Sequence, residues 1–313
     1  MMQPDKKTQI CRNSFFVTVA ALLCCALWGS ATPFIKIGYG LLLPQKNVPS
    51  IILFAGIRFA IAGILAIALY SISRRKFLYP QKENWGRIVK IAAVQTVIQY
   101  LFFYIGLANT SGVKGTIISG SNVFFAIIIA ALLYRQERLT WRKIFGCLLG
   151  FAGIIAVNLN GLDWNMNFTG DAFVLFSTIS YAFSSVLIKR YSQYEDPVII
   201  SGYQFLTGGI IMIAIGFGFG GSVEIATSAG MGVLIYLAFL SAVAYSLWGV
   251  LLQYNPVSRI TVFSFVIPVF GVLLSSLMLD EASSVTPVQL IVTLVLICAG
   301  ILVLNFGTGK EKT

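Results

Sequence analysis

The sequence contains no histidine and is poor in charge: among 313 residues, 11 are Asp or Glu and 22 are Lys or Arg, so charged residues make up only 11%. The missing histidine removes His-based metal sites, Ser-His triads and imidazole proton relays together. Soluble domains carry roughly a quarter charged residues, so less than half that share argues against a soluble globular chain. The five cysteines (Cys11, Cys24, Cys25, Cys147 and Cys298) fall in predicted helices or the N-terminal tail, and none forms a CxxC spacing. That argues against a disulfide framework and against a thiolate metal site, and no cofactor or metal ion is expected.

What fills the chain instead is apolar: 58% hydrophobic residues and a mean hydropathy of +0.87. A bilayer-spanning helix needs about 20 apolar residues. Ten segments meet that length, near 15–38, 50–72, 87–108, 112–134, 141–160, 170–190, 198–220, 230–254, 258–279 and 286–306. The expected fold class is an all-α integral membrane protein. Joints as short as Asn109-Thr110-Ser111 and Asn255-Pro256 make their neighbours tight antiparallel hairpins. The first apolar run is too long for a signal-peptide core and reads as an uncleaved helix.

The net charge of +11 does not read as nucleic-acid binding, because the basic residues sit in short clusters between apolar runs. With the N-terminus placed in the cytosol, 18 of the 22 Lys and Arg fall on the inner side. Lys36, Lys46 and Lys114 lie toward the outside, and Arg58 lies within a helix. Both termini are thus expected in the cytosol of a multi-pass plasma-membrane protein.

The two halves resemble each other. "NTSGVKGTIISGSNVFFAIIIAALLYRQE" (109–137) parallels "YNPVSRITVFSFVIPVFGVLLSSLMLDE" (254–281), and "AGIIAVN" (152–158) parallels "AGILVLN" (299–305). "IRFAIAGIL" (57–65) lines up with "YQFLTGGII" (203–211), and Lys36 of "FIK" with Lys189 of "LIK". Five helices per half is an odd number, so the second copy must be inverted. The domains follow: a tail 1–14, a first repeat 15–160, an external connector 161–169, an inverted second repeat 170–306 and a tail 307–313. Inverted repeats are the architecture of alternating-access carriers with substrate near the midplane.

These residues also resemble a known family, the ten-helix EamA-type permeases of the drug/metabolite transporter superfamily. The resemblance rests on "ALWGSATPFIKIG", "GIRFAIAGIL", "GLANTSGVKGTIISG" and "AALLYRQERLTWRKIFGCLLGFAGIIAV" in the first half. "IPVFGVLLSSLMLDEASS" and "AGILVLNFG" carry it in the second. It covers nearly the whole chain and implies a carrier of amino acids, quaternary amines, purines, drugs or other metabolites. One departure is visible: the first-half copy of "PVFG" reads "VFFA", with Val123 where a proline is usual, which puts a kink in helix four in doubt.

The third helix carries Gln95, Thr96, Gln99, Tyr100, Phe103 and Tyr104 at helical spacing, a polar-aromatic stripe in an apolar segment. In the inverted copy Tyr100 aligns with Tyr245 and Phe103 with Trp248. Trp28 has a rough counterpart in Tyr181, and Asn122 and Gln204 add amides at membrane depth. The expected substrate-binding set is Trp28, Gln95, Gln99, Tyr100, Phe103, Asn122, Tyr181, Gln204, Tyr245 and Trp248. Tyr104 and Tyr254, near helix ends, read as interfacial belt residues. Glycines 146, 150 and 153, like Gly56 and Gly63, read as small faces for close packing.

Pro33, Lys36, Arg58 and Lys114 form the expected gating or charge pathway. Pro33 follows Gly29, Ser30 and Thr32, so a bend there is tolerable. Lys36 can snorkel to the outer mouth, whereas Arg58 should face the bundle or water; its aligned partner is the neutral Gln204. No Asp or Glu falls mid-helix, which favours a facilitator or exchanger over carboxylate-driven proton antiport.

The expected function is therefore a secondary transporter of small amphipathic, zwitterionic or cationic metabolites, amino acids or related compounds, by export or exchange. A choline-like quaternary-amine uptake carrier is the alternative within transport. A membrane-embedded enzyme or receptor is the alternative of another class, without clustered catalytic groups to support it. The expected partners are the substrate and the lipid bilayer, with the chain a monomer or homodimer.

Overall fold

The computed structural model describes residues 6–159, 167–278 and 286–305. A short helix, Lys6–Arg12, precedes ten helices long and apolar enough to cross a membrane. We number these α1 (Ser14–Leu42), α2 (Val48–Ser73), α3 (Lys82–Ala108), α4 (Gly112–Leu133) and α5 (Trp141–Asn158) in the first half. In the second half they are α6 (Phe168–Tyr191), α7 (Pro197–Gly218), α8 (Ser228–Tyr254), α9 (Val257–Met278) and α10 (Pro287–Asn305). Asp280, Glu281, most of the 161–169 connector and the 307–313 tail lie outside the described residues.

Local chemistry sets the helix ends. Pro44 disfavours helical backbone at the residue before it, so α1 stops at Leu42 and Leu43 is extended. α1 thus runs four residues beyond the expected limit. The side chains of Asn47, Asn167, Asp196 and Thr227 accept backbone N–H groups at the starts of α2, α6, α7 and α8. Capping of this kind satisfies donors that hydrocarbon cannot.

Glycines decide which helices touch. α2 and α7 cross where Gly56 and Gly63 face Gly202, Gly209 and Gly216. A Cβ on Gly63 would meet the Leu206 backbone nitrogen at 2.5 Å, and one on Gly56 would meet the Ile213 nitrogen at 2.6 Å. In hydrocarbon, where burial of apolar surface gives no drive, such backbone contact is what packs helices. Gly146 and Gly153 serve α5 in the same way. A Cβ on Gly146 would lie 2.8 Å from the Gly300 carbonyl oxygen of α10, so the small face of α5 is spent inside the bundle.

α4 is broken although it lacks the proline. The chain turns at Ser121, whose hydroxyl donates to the Ile118 carbonyl oxygen at 2.6 Å, and helix resumes at Asn122. Val123 is buried in the core just beyond the break. The Ser121 N–H donates to the same Ile118 carbonyl oxygen at 3.0 Å, so the turn at the break is a tight one.

Candidate functional site

Five helices bring aromatic rings together. Trp28 of α1 lies edge-on to two residues of α8, with ring centroids 5.0 Å from Tyr245 and 4.9 Å from Trp248. Tyr100 of α3 and Tyr245 join through their hydroxyls at 2.9 Å. Phe59 of α2 lies 4.5 Å from Tyr100 and stacks on Phe205 of α7 at 5.1 Å, and Phe205 in turn meets Tyr245 at 4.8 Å. Phe103 and Tyr181 pack against the same group. Tyr104, expected on the membrane belt, is instead buried beside Tyr100, with centroids 5.8 Å apart.

The backbone of α3 is irregular where it enters this cluster. Residues Ala92–Ile98 form a π-helical turn, and it carries Gln95 and Thr96. Wide turns of this sort re-aim side chains and recur at functional sites. Thr96 donates to the Gln204 Oε1 at 2.7 Å, joining α3 to α7.

Polar atoms at the cluster lack partners. They are the indole nitrogens of Trp28 and Trp248, the side-chain oxygens of Gln95, Gln99 and Asn122, Gln204 Nε2, and Arg58 Nε and Nη1. A buried polar atom without a hydrogen bond costs about 1–3 kcal/mol, so this many in a folded chain calls for an explanation. All belong to residues selected from the sequence. Among the described residues, Gln95, Gln99 and Asn122 make none of the ring or side-chain hydrogen-bond contacts that join the others.

Arg58 is the cation at the centre. It is 4% exposed, and its guanidinium carbon sits 4.5 Å over the Phe59 ring. The phenols of Tyr39, Tyr100, Tyr104 and Tyr245 lie within its electrostatic reach. No carboxylate among the described residues pairs with it.

The remaining selected residues lie elsewhere. Pro33 is buried one turn beyond Gly29, where α1 meets the backbone of α9; a Cβ on Gly29 would lie 3.0 Å from the Gly271 nitrogen. Lys36 is exposed. Lys114 of α4 reaches Asp171 of α6 at 3.7 Å, and that carboxylate also accepts the Asn167 N–H at 3.0 Å. Lys189, the counterpart of Lys36, does something different: its ammonium donates to the backbone carbonyls of Leu252, at 3.2 Å, and Asn255, at the C-terminus of α8.

One cluster had no signal in the sequence. At the end of the bundle formed by the 134–140 and 255–256 joints, Glu137 pairs with Lys143 at 3.0 Å, and both side chains are almost fully buried. Glu137 also accepts the Ser258 backbone N–H at 3.0 Å and the Ser258 hydroxyl, tying the first half to the second. The partners are 121 residues apart, which no spacing rule detects. Phe59 and Phe205 did leave a signal, because they occupy equivalent places in "IRF" and "YQF".

Ten apolar helices with polar and aromatic groups among them define a multi-pass membrane protein. The profile of the EamA-like transporter family matches residues 16–159 and again 168–306, and the chain belongs to that family. It is 27% identical, over 90% of its length and 88% of the relative's, to an uncharacterized transporter of Synechocystis sp.. It is 26% identical, over 94% of its length and 96% of the relative's, to a probable amino-acid metabolite efflux pump of Escherichia coli. A solved crystal structure superposes with a TM-score of 0.75 over 96% of this chain and 100% of that one, at 16% identity, and so shares the fold.

Proposed function

We propose that this protein is a secondary carrier that moves small amphipathic metabolites, amino acids or close relatives, across the plasma membrane by alternating access. The observation that carries the reading is the inward-facing set of unpartnered polar atoms around Trp28, Tyr245 and Trp248. Groups that hydrocarbon penalises are retained where a solute can satisfy them. The amino-acid efflux relative agrees with this substrate class.

The candidate solute site lies between the halves, with α1, α2 and α3 on one side and α7 and α8 on the other. The Lys114–Asp171 pair joins the halves toward one end of the bundle, and the Glu137–Ser258 contact joins them at the other. In this mechanism the two contacts open in turn while the solute satisfies the buried groups. Eighteen of the 22 basic residues fall on one side, which supports cytosolic termini.

The aromatic box also favours a second reading. Faces of Trp and Tyr attract a quaternary ammonium without a formal anion, as a choline-like carrier would use. The experiment that tests both is counterflow in liposomes of purified protein, with labelled amino acids, choline and nucleobases offered in turn. Amino-acid counterflow supports the first reading and choline counterflow the second. Absence of counterflow for every solute would overturn the carrier assignment.

A further inference from the structure

We propose that Arg58 is the anion subsite of the carrier, and that it selects solutes bearing a carboxylate. The proposal rests on the carrier reading above and narrows its substrate class. Arg58 is 4% exposed, lies ten residues into α2 from Val48, and leaves Nε and Nη1 without partners. A guanidinium carries a full positive charge and only donors, so its burial calls for an acceptor. An uncompensated buried charge is strongly unfavourable, and no described carboxylate compensates this one.

What surrounds the cation is arranged for a guest. Phe59 covers it at 4.5 Å and the phenols of Tyr100 and Tyr245 stand near, but neutral oxygens do not cancel a full charge. The two unpartnered nitrogens, Nε and Nη1, lie on different edges of the guanidinium, and each can donate a charge-assisted hydrogen bond to a carboxylate oxygen. The Trp28, Tyr245 and Trp248 rings lie next to the tyrosines that Arg58 faces. A solute with its carboxylate on Arg58 can therefore rest its apolar body among those rings.

The arrangement is one-sided. Arg58 aligns with Gln204, whose Oε1 is already taken by Thr96 while its Nε2 is unpartnered. Only the first half supplies charge, and the solute accordingly binds in one orientation. A permanently cationic solute without a carboxylate is repelled by the same group that holds an amino acid.

The test compares an aromatic amino acid, its carboxamide and choline, in binding to detergent-purified protein and in liposome counterflow. The wild type is expected to bind the amino acid about ten- to a hundredfold more tightly than the carboxamide, the range for a hydrogen bond to a charged group. Choline is expected not to bind. Arg58→Gln should lose that preference, and Arg58→Lys should keep part of it while confirming that the site still folds. Equal affinity of the wild type for acid and carboxamide, or full discrimination by Arg58→Gln, overturns the subsite. Counterflow without acid selectivity would overturn the subsite and leave the carrier standing. Arg58-dependent binding without counterflow of any solute would leave the subsite and overturn the carrier.

Discussion

The hydroxyl oxygens of Tyr100 and Tyr245 lie 2.9 Å apart, and the two residues occupy equivalent positions in the two halves of the chain. The contact therefore joins the two sequence halves through residues that align with each other. Replacing Tyr100 by phenylalanine leaves the Tyr245 hydroxyl buried and alone, whereas in Tyr245→Phe the Tyr100 hydroxyl keeps Arg58 beside it. Each single variant is expected to lower stability by about 1–3 kcal/mol, and the double variant by less than the sum. Melting of the four proteins of the cycle in detergent measures the coupling; strict additivity would show that the bond contributes nothing.

Gln95 and Gln99 each carry a buried side-chain oxygen without a partner. Methionine is close in size and has no amide to desolvate, so Gln99→Met should leave melting unchanged or raise it. The same change should slow flux in liposomes if the amide is reserved for solute. Lower stability together with normal flux would place Gln99 in the structural framework instead.

The α2–α7 crossing predicts a sharp contrast between glycines. Gly63→Ala places a Cβ 2.5 Å from a backbone nitrogen and 2.6 Å from the Gly202 carbonyl oxygen, where nothing flexible can yield. Overpacking of this kind costs about 1–3 kcal/mol or more. Gly232 of α8 has open space around it, and Gly232→Ala should be neutral or stabilising by up to about 1 kcal/mol. Equal melting of the two variants would mean that α2 and α7 are not in backbone contact.

Glu137 and Lys143 form a pair whose side chains are 3% and 2% exposed. Glu137→Gln leaves Lys143 charged and buried, a change that costs about 3–5 kcal/mol in comparable sites. Removing both charges with Glu137→Leu and Lys143→Met should recover much of that loss, although the Ser258 contacts go with the carboxylate. Yield and melting of the single and double variants decide this; a double variant no better than Glu137→Gln would show that Ser258, not Lys143, is the partner that matters.

Much of the aromatic cluster is legible in the sequence because its two halves resemble each other. Tyr100 and Tyr245 were chosen as a matched pair, and Phe59 and Phe205 could have been chosen by the same logic from "IRF" and "YQF". Equivalence in the repeat did not settle surroundings, however. Lys36 is exposed, whereas Lys189 donates to the carbonyls that the C-terminus of α8 leaves unsatisfied. Tyr104 looked like a belt residue from its nearness to a helix end, yet it is buried in a cluster with residues of α2, α7 and α8. The break in α4 falls at Ser121, where the sequence has no proline.

The number of spans, the apolar character of the chain and the places where helices stop are local properties. They follow from runs of about 20 residues that must satisfy their own backbone groups in hydrocarbon, and they could be read along the chain. Which polar groups are left without partners is not local. It depends on helices far apart in sequence approaching through glycine faces, so that the guanidinium of Arg58 lies over the Phe59 ring and pairs with no described carboxylate. The sequence showed a charge inside a helix; the packing showed that nothing in the described chain neutralises it.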